Sequence, residues 1–324
     1  TLPPSLNQLL RDIELLIPEA DLAYQLSTPA ILYLASDGGA ASHKGSYGWV
    51  IQVGDVPIAR GKGNAQGSDP RSFRAEGYGM SSCLLYVLQV HRLYGITRGR
   101  NSRAKLICDN QGLLSRVQQA VEWKYMTPNV TLRPEWDLES VITDTYKQLG
   151  IDFEFMHVKS HQDDDGPVAD LTLEAQLNVQ ADTLATAALQ EASTHRKVAL
   201  FPTAKCQLIL AGASITRRIP QAIRFQAGAK DIQEYLRERN KWTQDTLDEI
   251  DWTAHGAAHS HHRSHRCFLV KLCHRHLPTG KTLHRRDNKY PSRCPGCNEA
   301  EESHDHFTGC PAPSRITWRV QLLT

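Results

Sequence analysis

Ile31-Leu32-Tyr33-Leu34-Ala35-Ser36-Asp37-Gly38-Gly39 is the stretch on which the fold turns. An apolar run closed by small polar residues reads as a buried strand, expected over Ala30 to Ser36. Gly45 to Val53 carries Tyr47, Trp49 and Ile51 in alternation, and Val56 to Gly63 follows the turn residues Gly54-Asp55. Both read as strands joined in hairpins. A polar loop, Asn64 to Ser72, leads into a helix expected from Phe73 to Tyr94, where Met80, Leu84, Val87 and Leu88 recur near helical spacing.

Working outward, Ala104 to Cys108 reads as a short buried strand and Asn110 to Val121 as a helix capped by Asn110. Pro134 to Leu149 reads as a helix with proline near its start and Gly150 after its end. Ile151 to Val158 alternates as a half-buried strand, and a helix is expected from Leu171 or Leu177 to Glu191. Three strands, helix, strand, helices, strand and helix make a mixed α/β fold. From Ser193 to Ile219 the chain turns strand-like, including Cys206 to Leu210; residues 220–280 are mostly helical by period and rich in Arg, Lys and His. At the other end, Leu6 to Ile17 is a short amphipathic piece flanked by prolines, read as a linker or the tail of an upstream domain.

The chain has 324 residues, 40% hydrophobic and 22% charged, with a formal net charge of +2. That is a soluble globular composition with room for two domains. Overall charge does not announce a nucleic-acid binder, but basic residues cluster at Arg217-Arg218, from Arg263 to Arg275 and from Lys281 to Lys289. No signal peptide and no membrane-length apolar run are seen, so an intracellular, reducing setting (nucleus or cytoplasm) is expected. Thr1 and Thr324 are expected to be cuts within a longer reading frame. Of eight cysteines, Cys83 and Cys108 sit in apolar runs and read as core residues. Cys206, Cys267 and Cys273 form no clear pattern; Cys294, Cys297 and Cys310 have metal-like spacing.

Four acids stand in four element contexts: Asp37 after the first apolar run, Glu76 near the start of a helix, Asp109 at the end of another apolar run, and Asp182 within a helix. Singly, each has an ordinary reading as a turn residue, a first-turn glutamate, a helix cap or a surface residue. Together they are carboxylates that a mixed sheet could bring to one place. Mg²⁺ prefers such hard oxygen ligands, and a pair of ions can activate water and stabilise a leaving oxygen in phosphodiester hydrolysis.

Ser36-Asp37-Gly38-Gly39-Ala40, Arg74-Ala75-Glu76, Cys108-Asp109-Asn110 and Asn178 to Ala185 resemble, in this order, the motifs of ribonuclease H. The form resembled is the type-1 domain joined to retroelement reverse transcriptases, and it covers about residues 30–192. The resemblance implies a ribonuclease H-like mixed five-stranded sheet flanked by helices. It makes Asp37, Glu76, Asp109 and Asp182 ligands of two Mg²⁺ ions, with Mn²⁺ as a substitute, and His161 a loop histidine that assists turnover. It also points to Gly38, Gly39, Asn110 and Gln111 as contacts to the substrate's sugar and backbone. The stretch from His161 to Asp182, with Asp163-Asp164-Asp165 inside it, is longer than in compact cellular enzymes. Those three aspartates read as a solvated loop.

Cys294-Pro295-Gly296-Cys297, followed by His306 and Cys310, gives C-x2-C-x8-H-x3-C, with His304 as a competing ligand. Three thiolates and an imidazole make a closed tetrahedral Zn²⁺ site of structural type. So short a segment needs a metal to hold it. It resembles the zinc-binding segment downstream of reverse transcriptase and ribonuclease H in non-LTR-type retroelements, with Arg285, Arg286, Lys289 and Arg293 suited to phosphate contact. The run His255, His259, His261, His262 and His265 lacks a carboxylate partner and an H-E-x-x-H pattern, and reads as a polar face.

The expected organisation is a linker over 1–29, a ribonuclease H domain over 30–192, a linker and mostly helical region over 193–285, and a small zinc knuckle over 286–324. The expected function is endonucleolytic hydrolysis of the RNA strand of RNA/DNA hybrids, beside an upstream reverse transcriptase domain of the same polyprotein and without a membrane partner. The alternative is a decayed or domesticated copy that binds nucleic acid without cutting it.

Overall fold

The computed structural model describes residues 2–323 except 68, 97–102, 124–129, 132, 165, 194–197, 253, 255, 257–260 and 262–265. The chain divides into two compact units, Thr1–Gln226 and Ala227–Thr324.

The first unit is built on a six-stranded sheet of order β1-β4-β3-β2-β5-β6. Its strands are β1 (Ile13–Leu15), β2 (Leu32–Ala41), β3 (Lys44–Val53), β4 (Val56–Asn64), β5 (Ala104–Cys108) and β6 (Phe153–His157). β2, β3 and β4 are antiparallel, whereas β5 and β6 join β2 in parallel, so the sheet is mixed. Five strands match the expectation in number, kind and order. The sixth, β1, lies in the stretch read as a linker and pairs with the outer edge of β4, Ile13 against Gly61. An open edge on β4 would invite association with other strands, and this segment covers it. Leu9, Leu22 and Leu26 are buried beside it, so residues before 29 are part of this unit's core.

Helices cover both faces. They are α1 (Pro4–Asn7), α2 (Glu19–Ser27), α3 (Ser72–Tyr94), α4 (Gln111–Glu122), α5 (Trp136–Leu149) and α6 (Leu173–Glu191). Leu32 and Leu34 of β2 join Trp49, Ile51, Leu106 and the apolar side of α3 in the main core. Tyr33 and Ala35, pointing the other way, pack with Val50, Ile107 and Leu177 of α6. Burial on both faces explains why β2 reads as an unbroken apolar run.

Two boundaries differ instructively from the sequence reading. β2 runs on past Asp37 to Ala41, because β3 pairs with it all the way to Lys44. α5 starts at Trp136 rather than Pro134, because Glu135 sits in the left-handed region at φ 59°. There Glu135 pairs with the buried Arg74 at 2.6 Å and donates its N–H to the Thr216 carbonyl at 2.7 Å.

The strand-like stretch after Ser193 becomes a hairpin, β7 (Leu208–Leu210) with β8 (Ala213–Ile215). It belongs to the first unit, with Phe201 fully buried against Tyr78 at 6.0 Å between ring centres. In the second unit the described helices include Gln244–Asp248, Arg266–Cys273, Gly280–Arg286, His304–Gly309 and Pro313–Leu323. Its anchor outside the cysteines is Glu302, which accepts from the Gly280 N–H at 2.7 Å and from Arg315 at 3.2 Å. His261 is exposed; His255, His259, His262 and His265 lie outside the described residues, as does Asp165. Among the described residues no helix is long and apolar enough to cross a membrane.

Candidate functional site

Asp37 and Asp109 are neighbours because of register. Leu32 faces Ala104 and Ala35 faces Ile107 across the parallel pair, an offset of 72 that carries Asp37 to Asp109 (37 + 72). His157, ending β6, bonds the Asp109 carbonyl oxygen at 3.0 Å. Glu76 arrives from α3, and Gly38 is what lets it. A β-carbon on Gly38 would lie 2.2 Å from the Glu76 backbone nitrogen and 2.7 Å from the Ala75 side chain. The first turns of α3 therefore press directly on β2. Gly48 does the same for α6, where a β-carbon would come within 2.3 Å of the Ala181 carbonyl. That approach brings Asp182 to the same end of the sheet, one helical turn beyond Asn178.

Asp37 accepts the Gly38 N–H at 2.6 Å on one oxygen and the Asn178 side-chain amide at 3.3 Å on the other. Glu76 is 2% exposed and takes a hydrogen bond from the Cys108 thiol at 3.5 Å. Burial, then the charges of Asp109 and Asp182, push the Asp37 carboxyl up to about 7. Burial, then Asp37 and Asp109, push Glu76 well above the usual carboxylate range. Burial raises Asp182 too, with His161 opposing and Asp163, Asp109 and Asp164 adding to the rise. Among the described residues no lysine or arginine pairs with Asp37, Glu76 or Asp182. A set of converging carboxylates without a cation of its own fits hard divalent metal ions.

The other expected site residues fall in different places. His161 is exposed on the loop before a short turn, Gln162–Asp164, in a left-handed conformation, and its charge reaches Asp182. Gly38 and Gly39 are strand residues opposite Tyr47 and Ser46. Asn110 caps α4, accepting the Leu113 N–H at 3.0 Å, and donates to Ser72 at 3.3 Å. Gln111 is exposed and bonds Ser115 of its own helix at 3.3 Å. Asn178 and Cys108 were quoted in the motifs without a site role. The spacing of Asn178 four residues before Asp182 was the signal for the first; for the second there was none.

Cys294, Cys297, His306 and Cys310 bring four ligand atoms within 4.8 Å of one another. Cys294 and Cys310 sulfurs lie 3.7 Å apart, and Cys297 lies 3.2 Å from the His306 Nε2. Tetrahedral zinc–sulfur bonds of about 2.3 Å put neighbouring ligands at roughly such distances. The Glu299 and Ala300 backbone N–H groups, and then His306, draw the Cys297 thiol down to about 6. Ser303 caps the helix His304–Gly309 by accepting the His306 N–H at 3.1 Å, which sets His306 in the first turn and Cys310 just past the end. His304 is not in the cluster; its Nδ1 is buried elsewhere.

Residues 235–318, which include all four ligands, match the family described as zinc-binding in reverse transcriptase. The second unit carries a reverse-transcriptase-type zinc-binding segment. No curated protein matches the chain. Among solved structures, it is similar to the N-terminal ribonuclease H domain of a Mycobacterium tuberculosis protein, at 18% identity over 50% of this chain and 95% of that one, with a TM-score of 0.33. It is similar also to ribonuclease H1 of Halobacterium salinarum, at 20% identity over 50% and 99%, TM-score 0.32. A third is LC11 ribonuclease H1, solved with an RNA/DNA hybrid, at 14% identity over 49% and 97%, TM-score 0.33.

Proposed function

We propose that this chain is the ribonuclease H portion of a retroelement polyprotein, hydrolysing the RNA strand of RNA/DNA hybrids beside an upstream polymerase domain. The observation that carries the reading is the convergence of Asp37, Glu76, Asp109 and Asp182 from two strands and two helices on opposite faces, with no lysine or arginine paired to Asp37, Glu76 or Asp182 among the described residues. Asp37, Glu76, Asp109 and Asp182 would hold two Mg²⁺ or Mn²⁺ ions, which activate water and stabilise the leaving oxygen. The water oxygen bonds to phosphorus as the bond to the 3′ oxygen breaks, leaving 5′-phosphate and 3′-hydroxyl ends. Asn178 holds Asp37 in its orientation through the 3.3 Å hydrogen bond. His161, exposed on the loop before Gln162–Asp164, would assist turnover and product release in this reading.

Discrimination of RNA from DNA rests on the 2′-hydroxyl. β2 pairs with β5 only as far as Ala35–Ile107, yet pairs with β3 to Ala41. Beyond Asp37 its β5 side is therefore an open backbone edge, where main-chain groups of Gly38 and Gly39 would meet a sugar. The Cys294–Cys297–His306–Cys310 cluster holds a structural Zn²⁺ in this reading.

The test is Mg²⁺-dependent cleavage of an end-labelled RNA/DNA hybrid beside duplex RNA and duplex DNA. Cutting confined to the RNA strand of the hybrid, and lost in Asp109→Asn, is expected. Parent-level cutting by Asp109→Asn would remove the site as drawn.

A further inference from the structure

Cys83 and Cys108 are both fully buried, and the sequence reads them alike. Their surroundings separate them. Both belong to the apolar core, but on the Cys83 thiol burial alone acts. Cys108 lies at the end of β5, with its Sγ 3.5 Å from Glu76 Oε2. The Asn110 N–H points at the same sulfur from 3.4 Å. One ligand atom each from Glu76, Cys108 and Asp109 falls within a 4.8 Å cluster, the only mixed oxygen–sulfur cluster among the described residues of the first unit.

The cluster joins two hard oxygens to one soft sulfur. Mg²⁺ binds oxygen and keeps its waters, so the sulfur adds nothing for it. Zn²⁺ and Cd²⁺ favour thiolate ligands, and an imported sulfur shifts selectivity toward them. Asp109 is half-buried, which leaves the cluster open on one side.

We propose that Glu76, Cys108 and Asp109 form a mixed site that captures thiophilic divalent cations and thereby blocks the carboxylate centre. Capture forms an Sγ–metal bond and releases the thiol proton to solvent. The captured ion occupies Glu76 and Asp109, which hydrolysis requires. The blocking consequence rests on the function proposed above; the capture itself rests on the cluster. The knuckle, with three sulfurs and a nitrogen, is the tighter site and fills first.

The test uses the full chain with its knuckle loaded with zinc, titrated with Cd²⁺ and followed by cadmium NMR. The parent is expected to show a resonance beyond those of the knuckle. Cys108→Ser should lose it or shift its midpoint by about tenfold or more, and Cys83→Ser should keep it. In Mg²⁺-supported cleavage, Cd²⁺ should inhibit the parent at about tenfold lower concentration than Cys108→Ser, each read against its own uninhibited rate. Equal cadmium stoichiometry and midpoint in the two proteins would overturn the inference. If Cys108→Ser does not fold, the parent decides alone: knuckle resonances and nothing else would also overturn it. A parent that cuts no hybrid in Mg²⁺ sinks the proposed function, while the cadmium spectrum still decides this site.

Discussion

Asp37 and Asn178 meet across 141 positions of chain, whereas Cys294 and Cys310 meet across 16. The first contact exists because a six-stranded sheet and two helices have already formed around it. The second holds a region whose buried cluster is Cys294, Cys310 and Ala312, with Cys297 packed against it. In one unit the core supports a site of mutually repelling acids; in the other the ligands themselves form a buried cluster. In the proposed reading the acids cost stability and the zinc-bound thiols supply it, so removing metal should act in opposite places.

Chelation should therefore produce the largest effect. Structural zinc contributes on the order of 10 kcal/mol to small metal-held domains. Treatment with a strong chelator is expected to erase amide protection from Gly280–Arg286 through Pro313–Leu323 and leave the sheet of the first unit protected, as read by peptide-resolved hydrogen exchange. Loss of protection in both units would break the contrast, and so would its survival in both.

The next largest effect tests where the first unit ends. Phe201 lies beyond the stretch expected to form the domain, yet it is fully buried against Tyr78. Phe201→Ala should destabilise the first unit by about 3–5 kcal/mol. A cost under about 1 kcal/mol in denaturant melts would detach the segment from that core.

What the sequence disclosed follows the same division. The β2 run, the Asn110 cap and the C-x2-C spacing were legible because each is a local pattern with one physical use. Knuckle ligands were legible as a set, since 16 positions of chain leave few other arrangements. His306 was separated from His304 only by the Ser303-capped helix, which no spacing rule shows. β1 was missed because three residues carry no period, and it is defined by the edge of β4 rather than by itself. The helix expected from Pro134 starts only at Trp136 because Arg74, 61 positions from Glu135, holds that residue in an unusual conformation. Gly38 was read only as a substrate contact, and it is also the point where a helix meets a strand.

A pH titration sharpens the claim that the acids oppose folding. Asp37 is raised from 3.8 to about 7 by burial and then by Asp109 and Asp182. Its folded form holds a proton that the unfolded chain releases. The associated stability is complete below about pH 4 and is lost as pH rises through about 7, at about 1.4 kcal/mol per pK unit as an upper bound. Metal-free protein should thus lose first-unit stability from about pH 4 to about pH 7. Methyl NMR of Ile51 in denaturant isolates that unit from the knuckle. Saturating Mg²⁺ or Asp37→Asn should flatten the slope. A slope unchanged by Asp37→Asn would mean that other groups carry it.

The smallest effects give the finest comparison, because the same lesion can be made in both units. Asn110 caps α4 and Ser303 caps the helix His304–Gly309, each through a side-chain oxygen accepting a backbone N–H. Removing such a cap costs about 1 kcal/mol. In the first unit Asn110→Ala loses its share against a large core, and should lower the melting temperature by about 2–4 °C. If the second unit folds around zinc as proposed, folding and metal binding are one equilibrium there, and the same energy should appear as zinc affinity. Ser303→Ala should weaken zinc binding about fivefold in competition with a chelator, since about 1.4 kcal/mol is a factor of ten. If Ser303→Ala leaves zinc affinity unchanged while melting shifts, the second unit has a core independent of its ligands, and the two regions are more alike than their structures suggest.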